Sequence, residues 1–314
     1  MYLAVDGGGS KIKALVFDAQ LHKIGQGRSG GINATQNDLE SILAHVRACL
    51  DEALAGIRHI DEAFVTFVGD RTLFAQELQA RVSVGELHFL DEARAGLLAG
   101  AGRSEGLLAI SGTGSDVFYL GPDSRNIVGG WGIVLGDQGS GTWIGLQAVR
   151  SVIRALDGWG PETLLTPLVL QHFHVEDEPR HIIGAVYQAP APFPVIAALT
   201  PLVGEAARQG DPEALRIFTE AGVALGRQML SLLKRLDEIP DVPITLCGGA
   251  WKAHPQMLES FSQTVQAVHP HMVIARPWFE HVLAGPMAYL LRSGKTPEEA
   301  RHLLAQAFPE EVIS

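Results

Sequence analysis

The chain contains little cysteine and no long apolar run. Only Cys49 and Cys247 stand among its 314 residues, too few for a disulfide framework in a chain of this size. The first residues form a predicted strand, without the basic, apolar and cleavage-site segments of an export signal. The apolar runs are far shorter than a membrane span. We therefore expect a cytoplasmic protein without a membrane segment.

Positive charge is also scarce. Lys and Arg number 24 against 35 Asp and Glu, which gives a net charge of −11, and the basic residues form no stripe. Because phosphate neutralisation supplies most of the affinity for nucleic acids, this balance argues against a nucleic-acid partner. A small anion is still an acceptable ligand, since backbone amides bind anions locally whatever the net charge.

Common ligand-binding signatures are missing as well. No Gly-x-x-x-x-Gly-Lys-Ser/Thr tract occurs, so the chain is not a P-loop protein. Residues 25–30 match Gly-x-Gly-x-x-Gly by letter, but no predicted helix opens at their end, so we expect no Rossmann site. The pairs His172/His174 and His269/His271 lack cysteines or acids at ligand spacing and therefore predict no zinc site.

Glycine, by contrast, is concentrated in three tracts: Asp6–Lys11, Ile110–Ser115 and Gly129–Gly141. Glycine serves where the backbone takes positive φ or approaches a ligand closely. The first tract is either a phosphate-binding hairpin or a plain hairpin with a solvated acid. In a phosphate-binding hairpin, the turn amides face the phosphates and Asp6 holds hydrated Mg²⁺. The second tract is a phosphate loop, a sugar loop or a polar turn. In the third, Asp137 suits a metal or a sugar hydroxyl, and Trp131 suits a ligand wall.

Polar residues and glycines also follow predicted strands, where ligands bind in open α/β sheets. Asp91 is either a general base for a substrate hydroxyl or the cap of the next helix, and the two roles are compatible. Asn33 binds a sugar hydroxyl or forms a turn. The Gly248–Gly249 pair admits a flat ring or a ribose, or makes a tight strand-to-helix turn.

The predicted elements indicate an α/β protein. Three meander strands are followed by alternating helices and strands, which predicts a mixed sheet with helices on both faces. The second half begins a similar pattern, and 314 residues suffice for two domains. We expect three capped helix starts: Asn37 with Glu40, Asp211 before Pro212, and Thr296 with Glu299.

The order of the motifs is more specific than any one of them. An Asp-Gly-Gly-Gly-Ser-Lys hairpin, an Asp at a strand end, Ser-Gly-Thr-Gly-Ser, Gly-Gly-Trp-Gly with Gly-Asp-x-Gly-Ser, and a late Gly-Gly resemble the N-acetylglucosamine kinase family. That family belongs with the BadF/BadG/BcrA/BcrD-type ATPases in the sugar kinase–actin–Hsp70 superfamily. The resemblance runs from Tyr2 to about Ala288, nearly the whole chain.

The resemblance implies an architecture. It implies an α/β fold of two ribonuclease-H-like (actin-like ATPase) domains, each a mixed sheet flanked by helices. A hinge joins the domains, and ATP binds in the cleft between them. The implied boundaries are residues 1–107 plus 293–314 for the small N-terminal domain and residues 108–292 for the large C-terminal domain. The resemblance also implies a homodimer.

It further implies site residues. Asp91 matches the catalytic base, and Asp6 and Asp137 match the acids associated with Mg²⁺. The positions that match nucleotide-binding residues are Gly7, Gly8, Gly9, Ser10, Lys11, Gly112, Thr113, Gly114, Gly248 and Gly249. The positions assigned to the sugar are Asn33, Asp91, Thr113, Ser115, Asp116, Gly130, Trp131, Ser140 and Gly141.

Three positions depart from the family pattern. Gln138 stands where many members carry Glu, so any role of a negative charge there is lost. Asp116 stands where the mammalian-type enzymes carry Asn, which bears on sugar recognition. Ser10 replaces a common Thr and keeps the hydroxyl.

These features favour an ATP- and Mg²⁺-dependent kinase that phosphorylates the C6 hydroxyl of N-acetylglucosamine. A glucosamine kinase, or a kinase of another amino sugar, is the alternative within the class. An iron–sulfur ATPase that activates a dehydratase is a more distant one, and it needs cysteine ligands in suitable places. A non-catalytic sugar sensor ranks last, because no helix-turn-helix segment precedes the strand at Tyr2 and the candidate base is present. The cysteine cluster of the zinc-containing ROK kinases is missing.

Overall fold

The computed structural model describes residues 1–34 and 37–313. The chain divides into two compact units. The first unit consists of Met1–Gly106, Leu120–Pro122 and Ala275–Ser314, and the second of Leu107–Tyr119 and Asp123–Ile274. Within the described residues, every helix is either too short or too polar to pass through a bilayer.

In the part of the chain that the structure describes, ten strands form two five-stranded sheets. They are β1 (Tyr2–Gly7), β2 (Lys11–Phe17), β3 (Lys23–Gly30), β4 (His59–Phe67), β5 (Ser83–Leu90), β6 (Gly106–Ser111), β7 (Ser115–Leu120), β8 (Arg125–Gly129), β9 (Ile244–Cys247) and β10 (Ile274–Ala275). The first sheet has the order β3-β2-β1-β4-β5, and the second β10-β9-β6-β7-β8. In the first sheet β1 pairs antiparallel with β2 and parallel with β4, so the sheet is mixed.

Twelve α-helices are described. They are α1 (Leu39–Ala53), α2 (Arg71–Gln79), α3 (Glu92–Ala101), α4 (Gly141–Leu156), α5 (Leu165–Phe173), α6 (Ile182–Tyr187), α7 (Pro192–Ala197), α8 (Thr200–Arg208), α9 (Pro212–Leu233), α10 (Pro255–Gln266), α11 (Ala284–Arg292) and α12 (Pro297–Ala307). Short 3-10 turns cover Pro179–His181, Gly249–Lys252, His281–Leu283 and Pro309–Glu311.

Strand β1, in the centre of the first sheet, is covered by apolar clusters on both faces. Leu3 and Val5 join one apolar cluster with residues of α1 and α2. Ala4, between them, joins a second cluster with residues of α3, α11 and α12. Successive side chains of a strand point to opposite faces, so a run of small and branched apolar residues suits a sheet covered by helices on both sides. The expected α/β architecture is confirmed.

Helix caps follow the sequence at two of three expected places. Asp211 accepts a hydrogen bond from the Ala214 amide at the start of α9, and Thr296 forms a full capping box with Glu299 at α12. The prediction that Asn37 caps the first helix is wrong, because the N-cap of α1 is Asp38. Asp38 has the extended backbone of an N-cap, and its carboxylate accepts from the Ser41 amide at 2.7 Å. Adjacent Asn and Asp are both good caps, and backbone conformation selects between them.

The chain re-enters the first unit earlier than the sequence-based boundary at residue 293. The chain returns to the first unit at Ala275. The 3-10 turn His281–Leu283 and helix α11 explain this, because they supply Val282, Leu283 and Met287 to the apolar cluster that contains Ala4. A Cβ on Gly285 would lie only 2.7 Å from the Ala4 Cβ, so α11 packs directly on β1.

Candidate active site

The first glycine turn joins β1 to β2. The Gly8 amide donates to the Lys11 carbonyl at 2.9 Å and closes the turn. Neither Gly7 nor Gly8 has a left-handed φ, so the expected reason for glycine does not apply to them. A Cβ on Gly7 would lie 3.1 Å from Ile32 Cδ1, which is a packing reason. A Cβ on Gly8 would meet only the Lys11 carbonyl oxygen, at 3.9 Å. The chain's own contacts therefore leave room above Gly8.

The segment that contains Asn33 lies on this turn. The Ile32 amide donates to the Gly8 carbonyl at 3.0 Å. A Cβ on Gly31 would lie 1.9 Å from the Gly9 carbonyl oxygen, so only glycine permits this approach. The Asn33 carbonyl accepts from the Asn37 amide at 3.0 Å, as in a turn. Asn33 is half-buried and stands beside the first glycine turn.

Asp6 is the last acid of β1 and is largely buried. Its side chain is 14% exposed, and Oδ1 lies 3.2 Å from Nδ1 of His281. Its partners across the sheet are Lys13 on β2 and Thr66 on β4. His281 is a site residue that the sequence analysis misses, since nothing local marks it and 275 positions separate it from Asp6.

Asp91 lies at the same edge of the first sheet as the glycine turn. Strands β1, β4 and β5 run parallel, and Asp91 follows the end of β5 directly. Gly7 pairs with Phe67 and Thr66 with Leu90, so Asp91 is two strand spacings from Gly7, about 10 Å. Asp91 caps α3 through Oδ1, which accepts from the Arg94 amide at 3.0 Å. Its side chain is 28% exposed, so the carboxylate is reachable, and Oδ2 lies 3.9 Å from Nε of Arg94.

In the second unit, the second glycine loop and the late glycine pair lie together. Strands β6 and β9 are parallel neighbours, with Ile110 opposite Cys247. Gly248 has a φ of +100°, and a Cβ there would lie 2.2 Å from the Ser111 carbonyl oxygen. Only glycine allows this approach. A Cβ on Gly112 or on Gly249 would meet nothing within 4 Å, so both positions leave open space.

The third glycine tract folds onto the second. The Gly141 amide donates to the Gly112 carbonyl and the Thr142 hydroxyl to the Thr113 carbonyl, both at 2.7 Å. The Ser111 hydroxyl donates to the Gly139 carbonyl at 2.6 Å. Three bonds across about thirty positions of chain therefore hold the two tracts in one surface.

Asp137 belongs to the third tract and lies against Gly114 of the second. It is 7% exposed and has a left-handed φ of +55°. Oδ1 accepts from the Gly132 amide at 3.0 Å, and a Cβ on Gly114 would lie 3.0 Å from Oδ2. Burial raises the pKa of the Asp137 carboxyl, while hydrogen bonds from the backbone of Gly132 and Ser115 act in the opposite direction. A bound cation would relieve the cost of burying this charge.

The two serines assigned to the sugar form hydrogen bonds with the protein backbone instead. The Ser115 hydroxyl donates to the Gln138 carbonyl at 3.1 Å, and Ser115 is 3% exposed. Ser140 is fully buried, and its hydroxyl caps α4 by accepting from the Trp143 amide at 3.0 Å. Both side chains hold the third tract in place. Gly141, also buried, does the same through its amide.

Trp131, in the third tract, and Asp116, in β7, are the remaining side chains assigned to the sugar. Trp131 is 73% exposed, which fits a ligand wall better than a core position. The Gly130 amide donates to the Ser115 carbonyl at 3.0 Å. A Cβ on Gly130 would lie 3.1 Å from Asp116 Oδ2, so the Asp116 carboxylate stands directly beside the Gly130 backbone.

The donors of each unit suit part of a magnesium nucleotide. Mg²⁺ prefers carboxylate oxygens and water, and Asp6 and Asp137 supply two largely buried carboxylates beside glycine turns. Open space at Gly8, Gly112 and Gly249 suits the close approach of phosphates and a nucleoside to backbone amides. Asp6 and Gly8 belong to the first unit, and Asp137, Gly112 and Gly249 belong to the second.

One other acidic cluster occurs in the described part of the chain. Glu62, Glu86 and His88 could together offer three ligand atoms to a metal. The guanidinium of Arg292 lies 2.6 Å from Glu62 and 4.0 Å from Glu86, so a cation already compensates these acids. This group does not include the histidine pairs His172/His174 and His269/His271.

Comparison with known proteins identifies the family. Residues 3–280 match the BadF/BadG/BcrA/BcrD ATPase family. The chain belongs to this ATPase family. The suspected family is therefore confirmed.

Similar members of known name are sugar kinases. The chain is 25% identical over 286 residues to the N-acetylmuramic acid/N-acetylglucosamine kinase of Clostridium acetobutylicum, covering 87% of this chain and 92% of that protein. It is 25% identical over 238 residues to a glucosamine kinase of Vibrio cholerae, covering 74% and 80%.

A solved structure confirms the fold of this ATPase-family chain. A candidate N-acetylglucosamine kinase from Porphyromonas gingivalis superposes with a TM-score of 0.70 at 20% identity. The superposition covers 94% of this chain and all of the other. At this identity the likeness establishes the fold alone.

Proposed function

We propose that the chain is an ATP-dependent amino-sugar kinase that transfers the γ-phosphoryl group of ATP to the C6 hydroxyl of N-acetylglucosamine. Membership of an ATPase family supports the use of ATP, and the names of the similar kinases support an amino sugar. One observation carries the proposal: Asp91, with a reachable carboxylate oxygen, lies at the same sheet edge as Asp6 and the first glycine turn.

The nucleotide is assigned to the glycine loops. Backbone amides of Gly7–Lys11 and of Gly112–Gly114 bind the phosphates, and Gly248–Gly249 accommodates the adenosine. The Gly8 amide already bonds the Lys11 carbonyl, and the Gly112 amide bonds the Gly114 carbonyl, so we assign the remaining amides of the two loops to the phosphates. Preorganised amides stabilise charge that develops on the transferred group without reorganising at the moment of reaction.

Asp6 and Asp137 would hold Mg²⁺ through their carboxylate oxygens. When bound, the ion supplies charge neutralisation on the β- and γ-phosphates. The buried carboxylate of Asp137 keeps its position through the Gly132 amide, and that of Asp6 through His281.

Asp91 acts as the base. Oδ1 is used to cap α3, which fixes the side chain, and Oδ2 accepts the proton of the sugar hydroxyl. The hydroxyl oxygen forms the new bond to phosphorus as the bond from phosphorus to the bridging oxygen of ADP breaks. Exclusion of water from the acceptor position would remove a competing acceptor.

We assign the sugar to backbone and side chains of the glycine tracts and to Asn33. Asn33 stands beside the first turn and contacts hydroxyls through its amide. Trp131 walls the ring, and Thr113 and Gly130 contact it through the loop backbone. Ser115, Ser140 and Gly141 hold these contacts in position through their own hydrogen bonds.

A glucosamine kinase is the second candidate, and Asp116 favours it. Its carboxylate lies beside Gly130, where an acid suits a free ammonium group better than an acetamide. A similar protein of Vibrio cholerae is named a glucosamine kinase.

The dehydratase-activator alternative fits the cysteines poorly. Cys49 is fully buried, and burial raises the pKa of its thiol to about 12. A cluster ligand must be a thiolate that an iron atom can reach. Cys49 meets neither condition.

A coupled ADP-release assay tests the proposal. N-acetylglucosamine, glucosamine, N-acetylmuramic acid, N-acetylmannosamine and glucose are each supplied with ATP and Mg²⁺. N-acetylglucosamine should give the highest kcat/KM, and glucose a far lower one. A preference for glucosamine would replace the first candidate with the second. ADP release that no sugar accelerates would refute a sugar kinase.

A further inference from the structure

The C-terminal part of the first unit reaches back to the strand that carries Asp6. His281 opens a 3-10 turn whose next residues, Val282 and Leu283, are buried. The Nδ1 of His281 lies 3.2 Å from Oδ1 of Asp6, and the two side chains are 16% and 14% exposed. A carboxylate only accepts hydrogen bonds, so His281 is the donor. The buried turn fixes the ring and hence the direction of the Asp6 carboxylate.

Lys13 is the charged neighbour of Asp6 on the next strand. The two residues are directly opposite in the antiparallel register of β1 and β2, so their side chains share one face. Cross-strand partners have Cβ atoms about 5 Å apart, close enough for an ion pair. A lysine ammonium on Asp6 would compete with a divalent cation for the same oxygens.

Glu311 engages that lysine instead. The Lys13 ammonium contacts Oε1 of Glu311, whose side chain is 2% exposed. The Glu280 amide donates to the Glu311 carbonyl at 2.8 Å, which ties the backbone beside His281 to the backbone of Glu311. Two connected C-terminal segments thus supply a donor to Asp6 and an acid to its neighbouring lysine.

We propose that His281 and Glu311 are positioning residues for Asp6: His281 aims its carboxylate at the metal nucleotide, and Glu311 keeps Lys13 from occupying it. The inference rests on the proposed role of Asp6. Residues that hydrogen-bond metal-ligating groups set ligand direction and basicity, and their loss costs metal affinity.

The first test measures binding. Affinity for Mn²⁺ with a non-hydrolysable ATP analogue is followed by electron paramagnetic resonance, with circular dichroism and thermal unfolding as fold controls. His281→Leu removes the donor at similar size and should weaken Mn²⁺ binding by about 10- to 100-fold. His281→Asn places an amide N–H where Nδ1 lies and should retain most of the affinity. His22→Ala disrupts an exposed His–Asp pair of the same unit and should change nothing.

The second test is a mutant cycle. Glu311→Gln frees the Lys13 ammonium and should weaken Mn²⁺ binding, and adding Lys13→Gln should restore it. The restoration separates competition for Asp6 from loss of structure.

Equal affinity in His281→Leu and wild type would overturn the role of His281, as would equal losses in the Leu and Asn variants. A Glu311→Gln loss that Lys13→Gln does not repair would overturn the role of Glu311. These readouts need no sugar, so a wild-type protein that binds the metal nucleotide but phosphorylates none would refute the kinase and leave this inference standing. A wild-type protein that binds no Mn²⁺ nucleotide would overturn it.

Discussion

Asp91 combines an observed structural role with a proposed chemical one. One carboxylate oxygen caps α3, and the other, 3.9 Å from Nε of Arg94, is the one we assign to the substrate hydroxyl. Asn is as good a cap as Asp but a far weaker base, so Asp91→Asn should keep the thermal stability and lower kcat by at least about 100-fold. Steady-state kinetics and thermal unfolding of the same preparation check both expectations. Turnover within a few fold of wild type would remove Asp91 from its role as base.

The two cysteines differ in environment. Cys49 is fully buried with a pKa raised to about 12, while Cys247 is partly exposed at the end of β9. Iodoacetamide reacts with thiolates, so native protein at pH 8 should be alkylated at Cys247 and spared at Cys49. Peptide mass spectrometry reads the two sites separately, and denatured protein serves as the fully labelled control. Rapid native labelling of Cys49 would contradict the packing of α1 on the first sheet.

The sequence predicts residues whose position depends on a strand end. Asp91 and Gly112 follow strands β5 and β6 directly, and the parallel strands of each sheet bring their carboxyl ends to one edge. His281 cannot be found in this way, because its contact with Asp6 depends on how the C-terminal segment packs. The buried hydroxyls of Ser115 and Ser140 are also unpredictable, since they follow from the folding of one glycine tract over another.

At the scale of elements, substitutions in the glycine turns can test the proposed ligand binding separately from packing. Gly8 and Gly112 have room for a Cβ and no left-handed φ, so Gly8→Ala and Gly112→Ala should fold with unchanged thermal stability. A methyl group would still intrude where phosphates approach, so both variants should bind ATP more weakly. Isothermal titration with ATP and Mg²⁺ checks this.

Two further glycine variants act as controls. Gly184→Ala lies in α6 with no atom closer than 3.7 Å to the added Cβ and should bind ATP as wild type does. Gly248→Ala, by contrast, should lose stability, because the added Cβ would collide with the Ser111 carbonyl. Wild-type ATP affinity in Gly8→Ala and Gly112→Ala would contradict the phosphate assignment.

Glu213, in the first turn of α9, contacts Ser151 and Arg154 of α4, and its side chain is 14% exposed. The Arg216 guanidinium holds the pKa of Glu213 at about 2, and Ser151 and Arg154 act in the same direction. Because the folded pKa lies below the ordinary value of 4.5, the stabilisation is complete above pH 4.5 and is lost as the pH falls towards 2. Glu213→Gln should therefore lower the Tm at pH 7 and reduce the fall in Tm between pH 7 and pH 3.

A neighbouring acid supplies the control for this helix pair. Glu220 also contacts Arg216 but is 47% exposed, so Glu220→Gln should change the Tm little at either pH. Calorimetry at the two pH values compares the three proteins. Identical pH dependence in Glu213→Gln and wild type would show that this acid does not link the helices.

Element boundaries follow the sequence where one residue dominates the choice. Asp211 and Thr296 begin helices as expected, since each precedes a proline at the first helical position. At α1 the choice between Asn37 and Asp38 depends on backbone conformation, which composition does not report. The early return of the chain at Ala275 depends on the packing of α11 against the first sheet, which helical spacing alone does not report.

At the scale of the whole molecule, motif order identifies the family and the two-sheet fold, because each glycine tract marks the end of a strand. The sugar and the homodimer are not fixed by that order. Asp116 and Gln138, which depart from the family pattern, bear on the sugar, and so the choice of substrate has to be measured.

The most direct test identifies the product. The protein is incubated with ATP, Mg²⁺ and N-acetylglucosamine, and ³¹P and ¹³C NMR spectra of the mixture are recorded beside those of the Asp91→Asn variant. We predict a phosphomonoester on C6 of the sugar, formed in step with ADP by the wild-type protein and absent from the variant. Formation of ADP and inorganic phosphate without a phosphorylated sugar would contradict the account.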